Sequence, residues 1–327
     1  MWITYGSGRE IDIKSKNFKL VKMNILITGG AGYIGTELAY ELEKNPQVKK
    51  IIIYDNLSRG NINLFIGQSK LSDKIKFIQG DILDTRLLKQ TLIGIDVVYH
   101  LAAKVTTPFS DQNAHFFEQV NHWGTAELVY AIEESDVKQF IYTSSASVYG
   151  ASSQEADENS TPNPRTFYGI SKLRGEDHVN RLMAKNTETY IIRCGNIYGY
   201  SKSMRFDSVI NKFMFDANFK KRISVEGDGE QYRSFIHIDK TANILAKLIF
   251  SDLNQGIYDL VEDNLTINHI ADTFKTIYPE LEMLFINQQL KMRELKVKPN
   301  EKINALTDIP TRTLLEVLKT FKEEFSF

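Results

Sequence analysis

A tyrosine and a lysine lie four residues apart in this sequence, at Tyr168 and Lys172. On a helix, that spacing puts both side chains on one face. A phenol titrates near pH ~10, so it acts as a base at neutral pH only where a nearby positive charge lowers its pKa. The pair therefore predicts a tyrosine base that the lysine ammonium activates, although such pairs also arise in helices by chance.

Two serines, Ser144 and Ser145, follow an apolar run that predicts a strand. Ligands of α/β proteins bind outside the carboxyl ends of parallel strands, so a hydroxyl at this point can hydrogen-bond a substrate oxygen. We expect Ser145 to have that role. The alternative is that the two serines only cap the strand end.

A glycine-rich turn, TGGAGYIG from Thr28 to Gly35, follows the first apolar run and precedes a helical pattern. In a dinucleotide-binding turn, the first glycine permits the tight turn, the second admits a pyrophosphate, and the third lets helix and strand pack closely. Gly29, Gly32 and Gly35 have this spacing, and Tyr33 and Ile34 lie between the last two. We predict that these five residues bind a dinucleotide, although the triplet alone is weak evidence.

An aspartate, Asp55, lies twenty residues beyond Gly35, directly after the apolar run Ile51-Ile52-Ile53-Tyr54. A carboxylate at the end of the second strand accepts hydrogen bonds from the adenosine ribose and repels a 2′-phosphate. The position therefore favours NAD over NADP. Arg59 is close enough in sequence to leave NADP open, and Asp55 could instead cap a turn.

Short apolar runs alternate with amphipathic stretches along the first part of the chain. The strands that the apolar runs predict begin at Met23 and at 50–54, 75–79, 96–100, 139–143 and 189–193. The helices that the amphipathic stretches predict are at 33–44, 85–92, 115–134 and 167–184. Strands separated by helices imply βαβ crossovers and a parallel sheet, so we predict a doubly wound, Rossmann-type α/β fold.

The alternation loosens after Arg193, where helices are predicted at 207–218, 239–250 and 267–276. A last helix begins after Thr313, which forms a capping box with Glu316. We predict an N-terminal extension at 1–22, an NAD-binding domain at 23–193 with parts of 233–255, and a smaller C-terminal α/β lobe at 194–327 that mainly binds substrate.

Composition narrows the class of protein. The 327 residues carry 40 basic and 41 acidic side chains and no long run of one sign, which argues against a nucleic-acid partner. No apolar run reaches the ~20 residues that a membrane span needs, and no secretory signal is visible, so a cytoplasmic protein is expected. One cysteine and six histidines without ligand spacing predict neither a disulfide nor a metal site.

Taken together, these motifs resemble the extended short-chain dehydrogenase/reductase family, in particular its nucleotide-sugar branch, of which UDP-glucose 4-epimerases are typical. The resemblance runs from about Met23 to Leu260. Besides the glycine turn, it rests on YDNLSRG at 54–60, GDILD at 80–84, HLAA at 100–103, NHWGT at 121–125, TSSASVYG at 143–150, YGISK at 168–172, RCGNIYG at 193–199 and GDGEQYRSF at 227–235.

The resemblance implies roles for further residues. Asn56 would join Asp55 in binding NAD, Asp81 and Ile82 would hold the adenine, and Asn121 would support the cofactor side of the site. Tyr168 would be the base, Lys172 would bind the nicotinamide ribose, and Ser145 would assist the substrate hydroxyl.

Substrate contacts are implied in the same way. Asn196 and Arg233 would contact the diphosphate of a nucleotide sugar; the alternatives are a turn residue and a surface ion pair. The chain departs from the family pattern at Ser234, where Asp is usual, and at Val105, where Lys is frequent. Residues 291–305 also lack a clear Arg-x-Gly-Asp loop.

Several reactions are compatible with this resemblance. We expect 4-epimerisation through transient oxidation at sugar C4; a nucleotide-sugar 4-ketoreductase or dehydrogenase would use the same residues in one direction. A 4,6-dehydratase needs an acidic pair where this chain has Ala146 and Ser147. A non-catalytic NAD sensor would have lost Tyr168, Lys172 or Ser145.

The helices at 115–134 and 167–184 also predict a homodimer, because relatives pair them into a bundle between subunits. Their apolar residues exceed what one sheet face needs: Phe117, Val120, Leu128, Ile132, Leu173, Val179 and Leu182. The alternative is that these residues simply cover the sheet.

Overall fold

The computed structural model describes residues 22–66, 72–105, 114–152, 154–289 and 292–325, so nearly all of the predicted extension at 1–22 lies outside it. Its twelve strands are β1 (Met23–Thr28), β2 (Val48–Asp55), β3 (Ile75–Gln79), β4 (Val97–His100), β5 (Gln139–Ser145), β6 (Glu188–Cys194), β7 (Asn196–Tyr198), β8 (Arg222–Glu226), β9 (Tyr232–His237), β10 (Gly256–Leu260), β11 (Asp263–Thr266) and β12 (Glu282–Ile286). Seven of them form one sheet in the order β10-β6-β5-β4-β1-β2-β3, with every neighbouring pair parallel.

The described helices lie on both faces of this sheet and in the C-terminal part. They are α1 (Tyr33–Lys44), α2 (Thr85–Thr91), α3 (Ala114–Phe117), α4 (Gly124–Glu133), α5 (Phe167–Met183), α6 (Val209–Lys220), α7 (Ile238–Leu248), α8 (Ile267–Ile277), α9 (Glu301–Asn304) and α10 (Leu314–Glu323). Side chains alternate along a strand, so Ile25 and Ile27 pack with α1 and α7, whereas Leu26 faces α2, α4 and α5. Burial on both faces explains the continuous apolar run of β1 and confirms the predicted Rossmann-type fold.

The predicted helix at 115–134 is not one regular α-helix. The six residues Glu118–Trp123 between α3 and α4 form a π-helical segment. Such segments hold an extra residue and are frequent at functional sites. Gly124, the first residue of α4, packs against Ile82, which lies just before α2. A Cβ on Gly124 would be 2.5 Å from Cγ2 of Ile82. The predicted bounds of α1 and β3 are confirmed, and the other predicted helices and strands differ at their ends by at most a few residues.

Two smaller sheets lie in the C-terminal part. One has the order β11-β9-β7, and the other pairs β8 with β12. The sequence patterns had not indicated these strands, which have three to six residues each. Together with α6, α8 and α10 they enclose a core of their own that includes Phe213, Phe274 and Phe321.

The first sheet also recruits late segments of the chain. Strand β10 pairs with β6, and α7 packs on the same face as α1. Ile303 of α9 is completely buried in that core. The parts that we predict to bind NAD and substrate are therefore interleaved in sequence, and their division into two lobes remains a prediction.

The residues that suggested a dimer are used within the chain. Phe117, Leu128, Ile132, Val179 and Leu182 are each at most 2% exposed. Four of these five belong to the core that α2, α4 and α5 form with the sheet. An excess of apolar residues on these helices is thus a wrong premise, and the homodimer stays a prediction that needs other support.

The longest helix of the described residues, α5, has 17 residues, and no helix among them is long and apolar enough to cross a membrane. Within the same ranges, no three His, Cys, Asp or Glu side chains converge in a way that could hold a metal ion.

Candidate active site

The glycine-rich turn connects β1 to α1 at the carboxyl edge of the sheet. Gly29 has φ +71°, and a Cβ there would lie 2.5 Å from the backbone nitrogen of Ala102. A Cβ on Gly35 would lie 2.5 Å from Cα of Gly30. Gly32 is the N-cap of α1 and brings no side chain over the helix end. The turn therefore leaves the positive end of α1 accessible to an anion, as a pyrophosphate needs.

The two residues between the last glycines have buried or half-buried side chains. The Tyr33 hydroxyl donates to the carbonyl oxygen of Gly199 at 2.6 Å and accepts from Asn211. Ile34 packs against the core that the large sheet forms with α1 and α7. Burial raises the pKa of the Tyr33 phenol far above its usual value. The backbone N–H groups of Tyr33 and Ile34, at the start of α1, could therefore bind a cofactor. Their side chains instead pack within the protein and hold the glycine turn in place.

The carboxylate of Asp55 faces this turn. Its two oxygens accept the backbone N–H groups of Ala31 at 3.1 Å and Leu57 at 2.8 Å. Burial raises the pKa of Asp55, and these two hydrogen bonds oppose the shift. Arg59 lies 3.5 Å from Asp207 in an ion pair, so its guanidinium has a partner other than Asp55.

The neighbouring strand β3 brings the predicted adenine residues to the same edge. The Asn56 amide donates to the Asp81 carboxylate at 2.8 Å, and the other Asp81 oxygen accepts the N–H of Leu83 at 2.9 Å. Ile82 is 5% exposed and packs in the second core. The structure thus joins Asn56, Asp81 and Ile82 beside Asp55.

Asn121 lies in the π-helical segment and is completely buried. Its amide pairs with the backbone of Lys104, accepting at 2.7 Å and donating at 2.9 Å, and donates to the Ser171 hydroxyl at 3.0 Å. Asn121 therefore fixes the loop after β4 against α5.

Tyr168 and Lys172 lie on α5, which begins where the Thr166 hydroxyl accepts the N–H of Gly169 at 3.0 Å. The Lys172 ammonium lies 4.2 Å from the ring centre of Tyr142, and burial lowers the pKa of Lys172 to about 7. Ser145 interacts with the phenol of Tyr168 and lowers its pKa. The helix and the end of β5 thus bring together the three predicted catalytic residues.

Several groups act on the phenol of Tyr168. Burial raises its pKa, and Arg205 and Ser145 lower it. The activation of Tyr168 by the Lys172 ammonium stays a prediction. Arg205 comes from the segment after β7, and nothing in its sequence spacing would have singled it out.

Arg233 and Asn196 lie on the three-stranded sheet. The Arg233 guanidinium donates to the carbonyl oxygens of Tyr232, at 2.9 Å, and of Arg293. Burial and the nearby charge of Arg293 lower the pKa of Arg233 to about 10. The Asn196 amide donates to the carbonyl oxygen of Ser234 at 3.0 Å. Neither residue forms the surface ion pair or simple turn that was the alternative, and Arg293 had not been predicted.

Arg293 belongs to residues 292–298, which we call the strap. In the strap, the carbonyl oxygen of Glu294 accepts the N–H of Ser152 at 3.0 Å, and the N–H of Leu295 donates to the carbonyl oxygen of Tyr232 at 3.2 Å. The strap therefore contacts both the segment after the predicted catalytic serine and β9. The charges of Arg293 and Glu294 both act on Arg233 there, and two arginines in one place suit a polyanion such as a diphosphate.

The comparisons with known proteins agree with this geometry. The model of the NAD dependent epimerase/dehydratase family matches residues 25–260. A protein of Methanocaldococcus jannaschii, provisionally named UDP-glucose 4-epimerase, is 32% identical over 231 residues, which are 68% of this chain and 72% of that protein. The dTDP-D-glucose 4,6-dehydratase of Dictyostelium discoideum is 34% identical over 73% of this chain and 58% of its own length.

Solved structures extend the likeness beyond the family match. UDP-glucuronic acid 4-epimerase from Bacillus cereus, in complex with UDP-glucuronic acid and NAD, superposes with a TM-score of 0.79. It is 27% identical, and the match covers 92% of this chain and 98% of that one. NAD is the cofactor of these enzymes, and the open glycine turn, Asp55 and the Asn56–Asp81 pair fit its pyrophosphate, ribose and adenine.

The fold, the open helix end and a match over most of the chain all support one assignment, which confirms the resemblance seen in the sequence. This chain is an enzyme of the NAD-dependent epimerase/dehydratase family.

Proposed function

We propose that this enzyme is a nucleotide-sugar 4-epimerase, with Tyr168 as the base, Ser145 as its partner on the substrate hydroxyl and Lys172 on the nicotinamide ribose. The observation that carries the proposal is the interaction of Ser145, at the carboxyl end of β5, with the Tyr168 phenol, whose pKa it lowers. It joins a proton acceptor and a hydroxyl donor at the edge of the sheet where the glycine turn ends. The epimerase from Bacillus cereus supports the same reaction.

In this proposal, Tyr168 takes the proton of the sugar 4-hydroxyl, and the Ser145 hydroxyl orients that oxygen. NAD, when bound, accepts the hydride from C4 and returns it. The 4-keto sugar turns over between the two transfers, and Tyr168 then returns the proton. Lys172 is buried on the same helix and would bind the cofactor ribose.

The diphosphate of the substrate would bind to Arg233 and Arg293. Both groups are guanidinium forks, which bind phosphate oxygens in pairs. Asn196 lies on β7, beside β9, and would contact the diphosphate from that strand. We call the site that Arg233, Arg293 and Asn196 would form the arginine cradle. In this proposal, the C-terminal sheets bind the diphosphate of the substrate. Other residues around the site would select the sugar.

A 4,6-dehydratase is the second candidate, because dehydratases are among the relatives at 33% to 34% identity. The site argues against it. Ser147, one of the two positions where dehydration needs an acid, donates its hydroxyl to Ser145 at 2.9 Å and carries no carboxyl group. The neighbouring Ala146 has no polar side chain. A ketoreductase would use the residues of the epimerase and differs only in releasing the oxidised cofactor.

The test is to supply the purified enzyme with NAD and a panel of UDP- and dTDP-sugars and to follow the products by NMR. Interconversion of 4-epimers without net production of NADH supports the proposal, and Tyr168→Phe serves as the inactive control. A 4-keto-6-deoxy product identifies a dehydratase. Consumption of NADH or NADPH with a keto sugar identifies a reductase.

We retain the homodimer as part of the proposal, through other residues than those first considered. Phe116 and Trp123 are 45% and 53% exposed on α3 and the π-helical segment, and Phe167 is 42% exposed at the start of α5. Sedimentation at micromolar concentration should give the mass of two chains, and Trp123→Glu should give one. A wild-type protein that sediments as one chain excludes the dimer.

A further inference from the structure

A buried polar network lies behind the catalytic residues and is not used by the mechanism above. Its members are Ser144, Tyr149, Glu176, Arg193 and Asp259. All five are at most 4% exposed. They come from four separate elements, namely the end of β5 with the turn after it, α5, β6 and β10. A buried network of this kind is costly unless every member is satisfied, so its position needs a reason.

Arg193 is the centre of the network. Its guanidinium binds both oxygens of Glu176, with Nε to Oε1 at 3.1 Å and Nη2 to Oε2 at 2.7 Å. Its remaining nitrogen, Nη1, donates to the Tyr149 hydroxyl at 2.9 Å. The Tyr149 hydroxyl in turn donates to the Asp259 carboxylate at 2.9 Å. One rigid fork therefore holds a helix on one side and a loop on the other.

The two elements that Arg193 joins are those that carry the catalytic side chains. Glu176 lies one helical turn after Lys172 on α5. Ser144 and Tyr149 flank Ser145 in sequence, and the Ser144 hydroxyl donates to Oε1 of Glu176 at 2.5 Å. The loop is thus fastened on both sides of Ser145 to the helix that carries Tyr168.

We propose that Arg193, with Glu176 and Tyr149, is a positioning group for the proposed reaction: it fixes the Ser145 loop against α5 and so sets the distance between Ser145 and Tyr168. This inference rests on the proposed function for its catalytic consequence. Its structural claim concerns only the distance between two side chains. Loss of the network lets Ser145 move away from Tyr168 and raises the pKa of the phenol, because Ser145 is one of the groups that lower it.

The main test uses Tyr149→Phe, which keeps the ring and removes the hydroxyl between Arg193 and Asp259. We expect kcat to fall about 10- to 100-fold with little change in KM, because a group that acts on alignment affects the transition state. The acid limb of the pH profile of kcat should move to higher pH. Arg193→Lys keeps the charge, cannot hold both partners, and should have the same effects.

A matched control is Tyr190→Phe, the same change in a buried tyrosine of β6, whose hydroxyl binds Glu188 and the carbonyl of Leu253 at the far end of the strand. It should leave kcat and the acid limb within about twofold of wild type. Should Arg193→Lys fail to fold, Ser144→Ala removes a single contact of the network and should shift the acid limb in the same direction.

A second readout does not depend on turnover. Absorbance titration of tyrosinate, taken as the difference between each protein and its Tyr168→Phe counterpart with NAD bound, reports Tyr168 alone. Tyr149→Phe should raise the pKa found in this way. An unchanged titration and unchanged kcat in Tyr149→Phe and Arg193→Lys would overturn the inference. If wild type converts no nucleotide sugar, the proposed function has failed, and the titration still decides whether the network positions Ser145.

Discussion

The catalytic edge of the large sheet and the arginine cradle of the C-terminal sheets differ in how their charged side chains are paired. At the catalytic edge, Arg193 is paired with Glu176, and Asp55 accepts two backbone N–H groups. At the cradle, Arg233 and Arg293 approach each other, and burial with this repulsion lowers the pKa of Arg233.

The difference separates two tasks. Matched groups are already satisfied, so they hold a geometry and have little to gain from a ligand. The approach of two cations costs free energy, and the binding of an anion between them offsets that cost. The large sheet is therefore suited to aligning reactive atoms, and the small sheets are suited to gaining affinity.

The sharpest test of the catalytic edge is Tyr168→Phe, which keeps the ring and removes the proton acceptor. We expect kcat to fall about 10²- to 10⁴-fold, the usual contribution of a general base, with NAD affinity unchanged. Tyr40→Phe, a tyrosine of α1 whose hydroxyl contacts Lys202 at 3.5 Å, is the control. Near-normal turnover in Tyr168→Phe would mean that this tyrosine only packs.

The matched network also predicts a pH dependence of stability. Burial raises the pKa of Asp259 from 3.8 to about 7. Between these values, the unfolded chain has lost its proton and the folded chain keeps it, so the free energy of unfolding falls as pH rises. Asp259→Asn should remove up to about 3 kcal/mol of this fall between pH 4 and 7, as measured by urea unfolding. The exposed Asp252→Asn should show the wild-type slope.

The cradle is tested by Arg233→Lys, which keeps the charge and loses the fork. We expect the affinity for UDP to fall about 10- to 100-fold in calorimetry, because a bidentate charged contact is worth about 1.5 to 3 kcal/mol. NAD affinity should stay the same. Arg222→Lys, in an exposed pair with Glu282 on β8 and β12, should bind UDP normally. Equal UDP binding by wild type and Arg233→Lys would remove Arg233 from the cradle.

The smallest expected effect is at Asp55, where the matched edge meets the cofactor. Asp55→Asn removes the negative charge and one acceptor, so NAD should bind about tenfold more weakly and the preference over NADP should shrink. Calorimetry with both dinucleotides measures the ratio. Tighter binding of NADP than NAD by the wild-type enzyme would show that Asp55 does not select the cofactor.

The two regions were also unequally accessible to prediction. Residues Tyr33–Lys44 and Ile75–Gln79 form the helix and strand that the apolar periodicity predicted, because local pattern and burial agree there. The π-helical segment escaped because a single extra residue leaves the apolar period almost unchanged. Strands β7, β8, β11 and β12 are no shorter than β4 on average, but they were missed because they lie outside the regular βαβ alternation that identified the strands of the large sheet.

The candidate site divides along the same line. Tyr168 and Lys172, or the glycines of the turn, are close in sequence, and their spacing carries the information. Arg293 and Arg205 reach the site from segments 60 residues from Arg233 and 37 from Tyr168 in the numbering. Only the folded chain brings those partners together, so no spacing rule could identify them.

The burial of Ile303 among strands of the large sheet has a consequence for how such enzymes diversify. The segment that follows the family match returns to fill the core of the part that binds NAD, so the two halves cannot be exchanged by a single crossover. A chimaera joined after Leu260 would combine a foreign α9 with this sheet and leave a cavity or a clash where Ile303 packs. New sugar specificities should therefore arise by point changes around the strap more readily than by recombination of whole halves.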